Sequence, residues 1–360
     1  MATDGQGRSR WAPALSTLDW LERLVPTLGA CAVSLALFGV FVALAGHNPL
    51  DVYAEMYRGA FGTWFSLQNS LLRAAPLMLT GLCTALPARL GLIVIGGEGA
   101  LVVGGLAAAA AAVPLQGSPP ALVISAMMLA SAVAGGLWVG AAGALRAWRG
   151  VNETISSLLL SYLGIALFNH LVEGPFKDPA TLNKPSTPHI GADNMLGNLP
   201  GLDVHAGLAI GIVACAAAHL LMEHSVFGFS ARVVGGNARA ARLAGLNVPR
   251  LLIVTCVLAG AAAGLAGMVE VAAIHGSANA SLMAGYGYAG ILVAFLAGHN
   301  GLAILPVSLL LGGINASGGL LQRTFGLPDA TVNVLQGILF VALLASQTYR
   351  PQGHLGRARS

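Results

Sequence analysis

Charge is scarce in this 360-residue chain: 9% of its residues are charged, against 56% hydrophobic. A soluble globular domain carries roughly 25% charged residues, so this chain cannot cover a water-facing surface. Its mean hydropathy of +0.76 points to a lipid bilayer as its solvent. Lysine occurs only as Lys177 and Lys184. Neither lies in a G-x-x-x-x-G-K-[ST] stretch, so ATP hydrolysis by a P-loop is excluded for this chain. H-E-x-x-H, C-x-x-C and G-x-S-x-G are absent too, and no catalytic residue, metal site or bound cofactor is expected. Cys31, Cys83, Cys215 and Cys256 stand singly inside apolar runs and read as small core hydrophobes. The polar start, with no early apolar run, does not read as a removable signal peptide. Asp19, Trp20, Glu22 and Arg23 suggest a short helix lying on the membrane.

What the chain has in abundance is long apolar runs. A spanning helix needs about 20 mainly apolar residues, and ten stretches are candidates: 25–46, 71–88, 90–113, 119–145, 154–172, 204–222, 251–274, 285–298, 301–322 and 330–347, of which 285–298 is short and 71–88 contains Pro76 and Pro87. The expected fold is therefore all-α, a polytopic membrane helical bundle of about ten transmembrane helices. It divides into a cytoplasmic N-terminal segment (1–24), a transmembrane region (25–347) and a tail (348–360). With both termini in the cytoplasm, thirteen of the eighteen Lys and Arg residues fall on the inner side. Five (Arg58, Arg73, Lys177, Lys184, Arg323) fall outside or near that face. That bias obeys the positive-inside rule, and the reverse orientation violates it. Residues 173–203, rich in Pro, Asn and Gly, form a long outer loop: a docking surface or a lid over helix ends. A weak inverted internal repeat is also present: GGEGALVVGG (96–105) and GYGYAGILVAFLAG (285–298) open spans that run in opposite directions.

Between two apolar spans, residues 223–250 form a cytoplasmic loop. Within it SARVVGGNARAARLAGLNVPR (230–250) carries Arg232, Arg239, Arg242 and Arg250 and no acid. Asn237 is a good N-cap, ARAARLA a strong helix former, and Gly245 suits the left-handed position after a helix. The spacing predicts about two helical turns with Arg239 and Arg242 on one face. A loop that only binds anionic lipid has no need of a helix closed at both ends, which favours a soluble partner pushing on it.

This segment resembles the cytoplasmic coupling loop of the binding-protein-dependent permeases of ATP-binding cassette (ABC) importers for nucleosides, simple sugars and branched-chain amino acids. That family's pattern is G-x-x-x-R-A-x-G-x-N-x-x-A-A-x-x-x-G. Gly228, Arg232, Gly235, Asn237, Ala240, Ala241 and Gly245 fall on it, and Val233 departs from it. VNETISSLLLSYLGIALFNHLVEGPFKDP (151–179), IGGEGALVVGG (95–105), GLAGMVEVAAIHG (264–276) and GYGYAGILVAFLAGHN (285–300) resemble further blocks in the same order, over about residues 70–320. The guanosine and simple-sugar group is nearest. The resemblance implies a permease subunit in the bacterial inner membrane, a second permease subunit (a related chain or a second copy) and an extracytoplasmic binding protein. It also implies ABC ATPase subunits that hold ATP and Mg. In this reading Arg232, Gly235, Asn237, Arg239, Arg242 and Gly245 meet the ATPase. Val94, Ala100 and Ser161 replace common amide residues, which bears on the solute.

Two carboxylates fall inside spans, Glu98 and Glu270, and a charge at the bilayer centre costs about 2.5–3.5 kcal/mol. Flanking Gly96, Gly97 and Gly99 suggest a helix irregularity whose free N–H groups hold Glu98. Gly260, Gly264 and Gly267 give the helix below Glu270 a face for close packing; Glu270 then lines the path or anchors a neighbour. His275, Ser277, Asn279, Ser281, Tyr286 and Tyr288 near the outer mouth suit a neutral, hydrogen-bonding solute such as a nucleoside or sugar. Asn152 reads as an N-cap first and an inner-gate contact second. Nucleic acid is not an expected partner; membrane lipid is. A stand-alone transporter driven by an ion gradient is the competing reading, compatible with broken spans and embedded acids.

Overall fold

The computed structural model describes residues 17–181 and 184–348, with side chains described from 27 to 346. Residues 1–16 and 349–360, most of the polar lead and nearly all of the tail, lie outside the described residues. All regular structure among the described residues is helical, apart from two isolated β-bridges. The chain separates into two compact units. Among the described residues, one comprises 17–49 with 334–348, and the other lies within 50–333.

The first unit holds α1 (Thr17–Leu44), one unbroken helix of 28 residues. The stretch at 19–23 is thus continuous with the first span. This unit also holds most of α13 (Thr331–Thr348).

The second unit contains α2 (Pro49–Tyr57), α3 (Trp64–Ala88), α4 (Gly97–Ala112), α5 (Pro120–Arg149), α6 (Glu153–Glu173), α7 (Gly207–His224), α8 (Val226–Gly236), α9 (Ala238–Leu243), α10 (Val248–Glu270), α11 (Tyr286–Leu296) and α12 (Ile304–Phe325). Eight helices among the described residues are long and apolar enough to cross a membrane. The stretches 285–298 and 330–347 fall on the shorter helices α11 and α13, so the expected ten spans resolve into eight long helices and two short ones.

Two boundaries move for physical reasons. The second span begins at Trp64, not at residue 71, because Thr63 caps it, accepting from the Ser66 amide at 3.0 Å. Arg73 consequently sits inside that helix. The third span, expected over 90–113, starts only at Gly97. Residues 90–96 are non-helical, turned by Gly91 at φ +77°. One face of α6 pins this segment. The Thr154 hydroxyl donates to the Ile93 carbonyl (2.9 Å), the Ile95 amide donates to Ser157 Oγ (3.0 Å), and Ser161 Oγ donates to the Ile95 carbonyl (3.3 Å).

The centre of the unit is a glycine crossing. Gly260, Gly264 and Gly267 of α10 lie directly against Gly135 of α5 and Gly104 and Leu101 of α4, so close that a methyl group on any of them meets backbone. Without a hydrophobic drive between helices in lipid, such backbone approach supplies the packing. Around it Leu101, Met127, Phe168, Met268 and Leu282 fill a core with no exposed side-chain surface to speak of. Residues 187–196 are strapped to the chain that follows α10. The amides of Thr187, Ile190 and Leu196 donate to the carbonyls of Ala278 (3.0 Å), Gly276 (2.8 Å) and Ala272 (2.7 Å).

Candidate functional site

Glu98 lies in the first turn of α4 and is 1% exposed. Its carboxylate accepts from the Gly285 amide (2.9 Å) and the Gly287 amide (2.6 Å), the opening amides of α11. The donors are therefore not the glycines beside it but a second helix start, 187 residues away in sequence. The backbones of Gly97 and Gly287 touch, leaving no room for a side chain at 287. From this junction α4 runs toward Phe176 and Lys177, and α11 runs toward Arg89, so the two glycine-rich starts meet and diverge. A helix N-terminus offers free N–H groups and a positive dipole end, which together satisfy a buried anion. Ser161 joins the same junction, accepting from the Gly99 amide at 3.3 Å.

Glu270 closes α10 and is 3% exposed. One oxygen lies 3.5 Å from His275 Nε2, while the other has no hydrogen-bond partner. The helix passes into a π-turn, Val271–His275, ending at Gly276 with φ +66°. Such turns are frequent at functional sites. Tyr286, the first residue of α11, sits beside the Arg73 guanidinium and near Glu270. Tyr288 is partly exposed and faces Glu98 and Tyr162. Asn279 caps a short turn, accepting from the Ser281 amide at 2.9 Å, and its amide nitrogen donates to Ser277 Oγ at 3.4 Å. Glu98, Glu270, His275 and Tyr286 thus converge around the ends of α10 and α11. Asn152 is apart from them, at the start of α6, where it accepts from the amides of Thr154 (2.9 Å) and Ile155 (3.1 Å).

The arginine-bearing segment is two helices, not one. Ser225 caps α8 by accepting from the Gly228 amide at 3.1 Å. Asn237 ends α8 and caps α9, accepting from the amides of Arg239 and Ala240, both at 3.0 Å. After α9, Gly245 takes φ +81°. Its amide donates to the Arg242 carbonyl, and the Leu246 amide donates to the Ala241 carbonyl, each at 3.0 Å. That pair is a Schellman closure, which needs a residue free to adopt the left-handed region. Arg239 and Arg242 are exposed, and Leu243 between the arginine face and the cap is 86% exposed. Gly235 rests on the backbone of Arg89 at the end of α3. Arg232 donates to the Met222 carbonyl and lies 3.3 Å from Glu223.

Sequence reasoning did not single out Glu223, Arg89 or His299, which join helices far apart in the chain. The available signal was Glu223 itself, an acid nine residues before the first arginine of the segment. Among the described residues, no group of three or more His, Cys, Asp or Glu side chains is placed to hold a metal ion.

Helix starts that meet at a buried carboxylate within a multi-pass bundle are a feature found in solute transporters. Residues 66–344 match the family described as the permease component of the branched-chain amino acid transport system, and the chain belongs to that family. It is 33% identical to the glucose ABC transporter permease protein TsgB13 of Haloferax volcanii, over 94% of this chain and 91% of that one. It is 27% identical to the guanosine ABC transporter permease protein NupP of Bacillus subtilis, over 92% of this chain and 95% of that protein. With the nucleoside ABC transporter permease protein NupB of Lactococcus lactis it shares 28% identity, over 85% and 87% respectively. This is a family of permease subunits, which are not themselves catalytic, in ABC transporters of the plasma membrane.

Proposed function

We propose that the chain forms the translocation pathway of an importer for a small polar solute, a nucleoside or a simple sugar, driven by a separate ATPase that docks on α8 and α9. The observation that carries this is the α9 unit itself. It is a helix of six residues, capped at both ends, with two arginines and one large apolar side chain held outward. Ordering a short helix costs backbone entropy; a rigid exposed knob repays that cost when a partner grips it. In this reading the arginine-rich end, with both termini, faces the cytoplasm, and ATP and Mg are held by the ATPase. A second permease subunit completes the pathway, and an extracytoplasmic binding protein delivers solute at the end formed by residues 173–203.

The polar groups around α10 and α11 fit the solute class: Glu270, His275, Asn279, Tyr286 and Tyr288 offer donors and acceptors, while Glu98 holds the junction that positions them. Asn152 serves as an N-cap first. The relatives are named for glucose, guanosine and nucleosides, which supports the same class.

The test is charge reversal at Arg239 and Arg242 in the chain co-expressed with its transporter partners. Membrane insertion stays intact and the ATPase no longer co-purifies. Recovery of the usual amount of ATPase contradicts the reading. A chain that accumulates solute alone in vesicles under an ion gradient is instead a secondary transporter.

A further inference from the structure

At the arginine-rich end one acid ties α7 and its neighbour α8 to the distant end of α3, and α3 in turn holds the turn between α11 and α12. Glu223, near the end of α7, holds Arg89 at the end of α3 through one oxygen (2.8 Å) and Arg232 of α8 through the other (3.3 Å). Arg89 Nε also donates to the carbonyl of His299 at 3.1 Å, in the turn between α11 and α12. Charge-assisted bonds of this kind are about twice as strong as neutral ones, and a shared acid makes them a network.

The backbone reinforces these bonds. Gly235 of α8 sits on the Arg89 backbone, and Gly301, just past His299, sits against Cys215 and His219 of α7. His299 is a non-glycine residue at φ +58°, a conformation that persists only where the surroundings impose it. Beside it, an open groove lined by Thr84, Gly91, Leu92, Phe295 and His299 borders the end of α11. At the other end of α11 stand the Gly285 and Gly287 amides that hold Glu98. A continuous mechanical path therefore runs from α8 through Glu223 and Arg89 to α11 and on to the α4 junction.

We propose that Glu223 is a positioning residue that transmits displacement of the α8–α9 segment to α11 by bridging Arg232 and Arg89. The proposal rests on the coupling reading above. It goes beyond that reading by separating transmission from docking: α9 grips the motor and Glu223 passes the stroke on.

The experiment uses the whole transporter, with its ATPase, second permease and binding protein, reconstituted in vesicles. Uptake is followed with radiolabelled guanosine and glucose. Glu223→Gln keeps the shape and removes the charge. Arg89→Gln breaks the same link from the α3 side, outside the docking segment, and leaves the Glu223–Arg232 pair, so the test survives a folding failure of the first variant.

Both variants retain ATPase co-purification and basal hydrolysis, uptake falls by about tenfold, and hydrolysis stops responding to loaded binding protein. The double variant is no worse than the poorer single one, because both remove one link. Uptake near the wild-type rate in either variant, multiplying losses in the double variant, or ATPase lost in proportion to uptake overturns the proposal. If the wild-type chain retains no ATPase, the coupling reading itself falls and takes this proposal with it.

Discussion

Glu98 and Glu270 are both buried carboxylates at the ends of helices in the apolar bundle, and they are held in opposite ways. Glu98 has both oxygens satisfied by amides at the start of α11. Glu270 has one oxygen near His275 and one with no partner. A satisfied buried anion is a structural joint, whereas a half-satisfied one stores a desolvation cost that the fold has no reason to keep unless the group is used. Buried ionisable groups outside the spans extend the series: His205, 3% exposed, has neither ring nitrogen partnered.

The largest effect that separates the two acids is on stability. Glu98→Ala abandons two buried amides and loses two charge-assisted bonds, and it lowers unfolding stability by about 3 kcal/mol or more. Thermal melting in detergent checks this, and an unchanged melting temperature breaks the distinction. Gly287→Ala attacks the same junction from the other side. Its methyl group meets the backbone of Gly97 and Glu98, with an expected cost of about 1–3 kcal/mol for forced overpacking. Glu270→Gln, in contrast, leaves stability within about 1 kcal/mol of the parent or raises it, while solute uptake by the reconstituted transporter falls. A loss of stability matching that of Glu98→Ala makes Glu270 a second joint instead.

The smallest effect concerns pH. Burial holds the His205 imidazole below its usual range, so the unfolded chain binds that proton at higher pH than the folded one. Stability is full above the ordinary histidine value of about 6.5 and declines as pH falls through it. His205→Phe makes melting between pH 7 and pH 5 less dependent on pH; an identical profile removes His205 from the series.

Local rules were legible in the sequence. The Asn237 cap, the Gly245 closure and the Asn152 cap follow from residue types whose conformational needs are met within four neighbours. The Gly260, Gly264 and Gly267 face could be read from its spacing alone. The demand of Glu98 for donors was legible, but their identity was not, because Gly285 and Gly287 reach it only through the fold. The same reason hid the irregular stretch at 90–96, which takes its shape from Thr154, Ser157 and Ser161, and the Glu223 bridge between α3, α7 and α8. Apolarity marked residues 90–113 as one span, since hydropathy reports burial and not hydrogen-bond pattern.

The most direct test of the account places a photo-cross-linking residue at Leu243, beside Arg239 and Arg242 on α9, in the assembled transporter, with a second placed at Phe176 near the opposite end. The account predicts that position 243 captures the nucleotide-hydrolysing subunit and position 176 does not. No ATPase captured at 243, or capture at 176 instead, contradicts it.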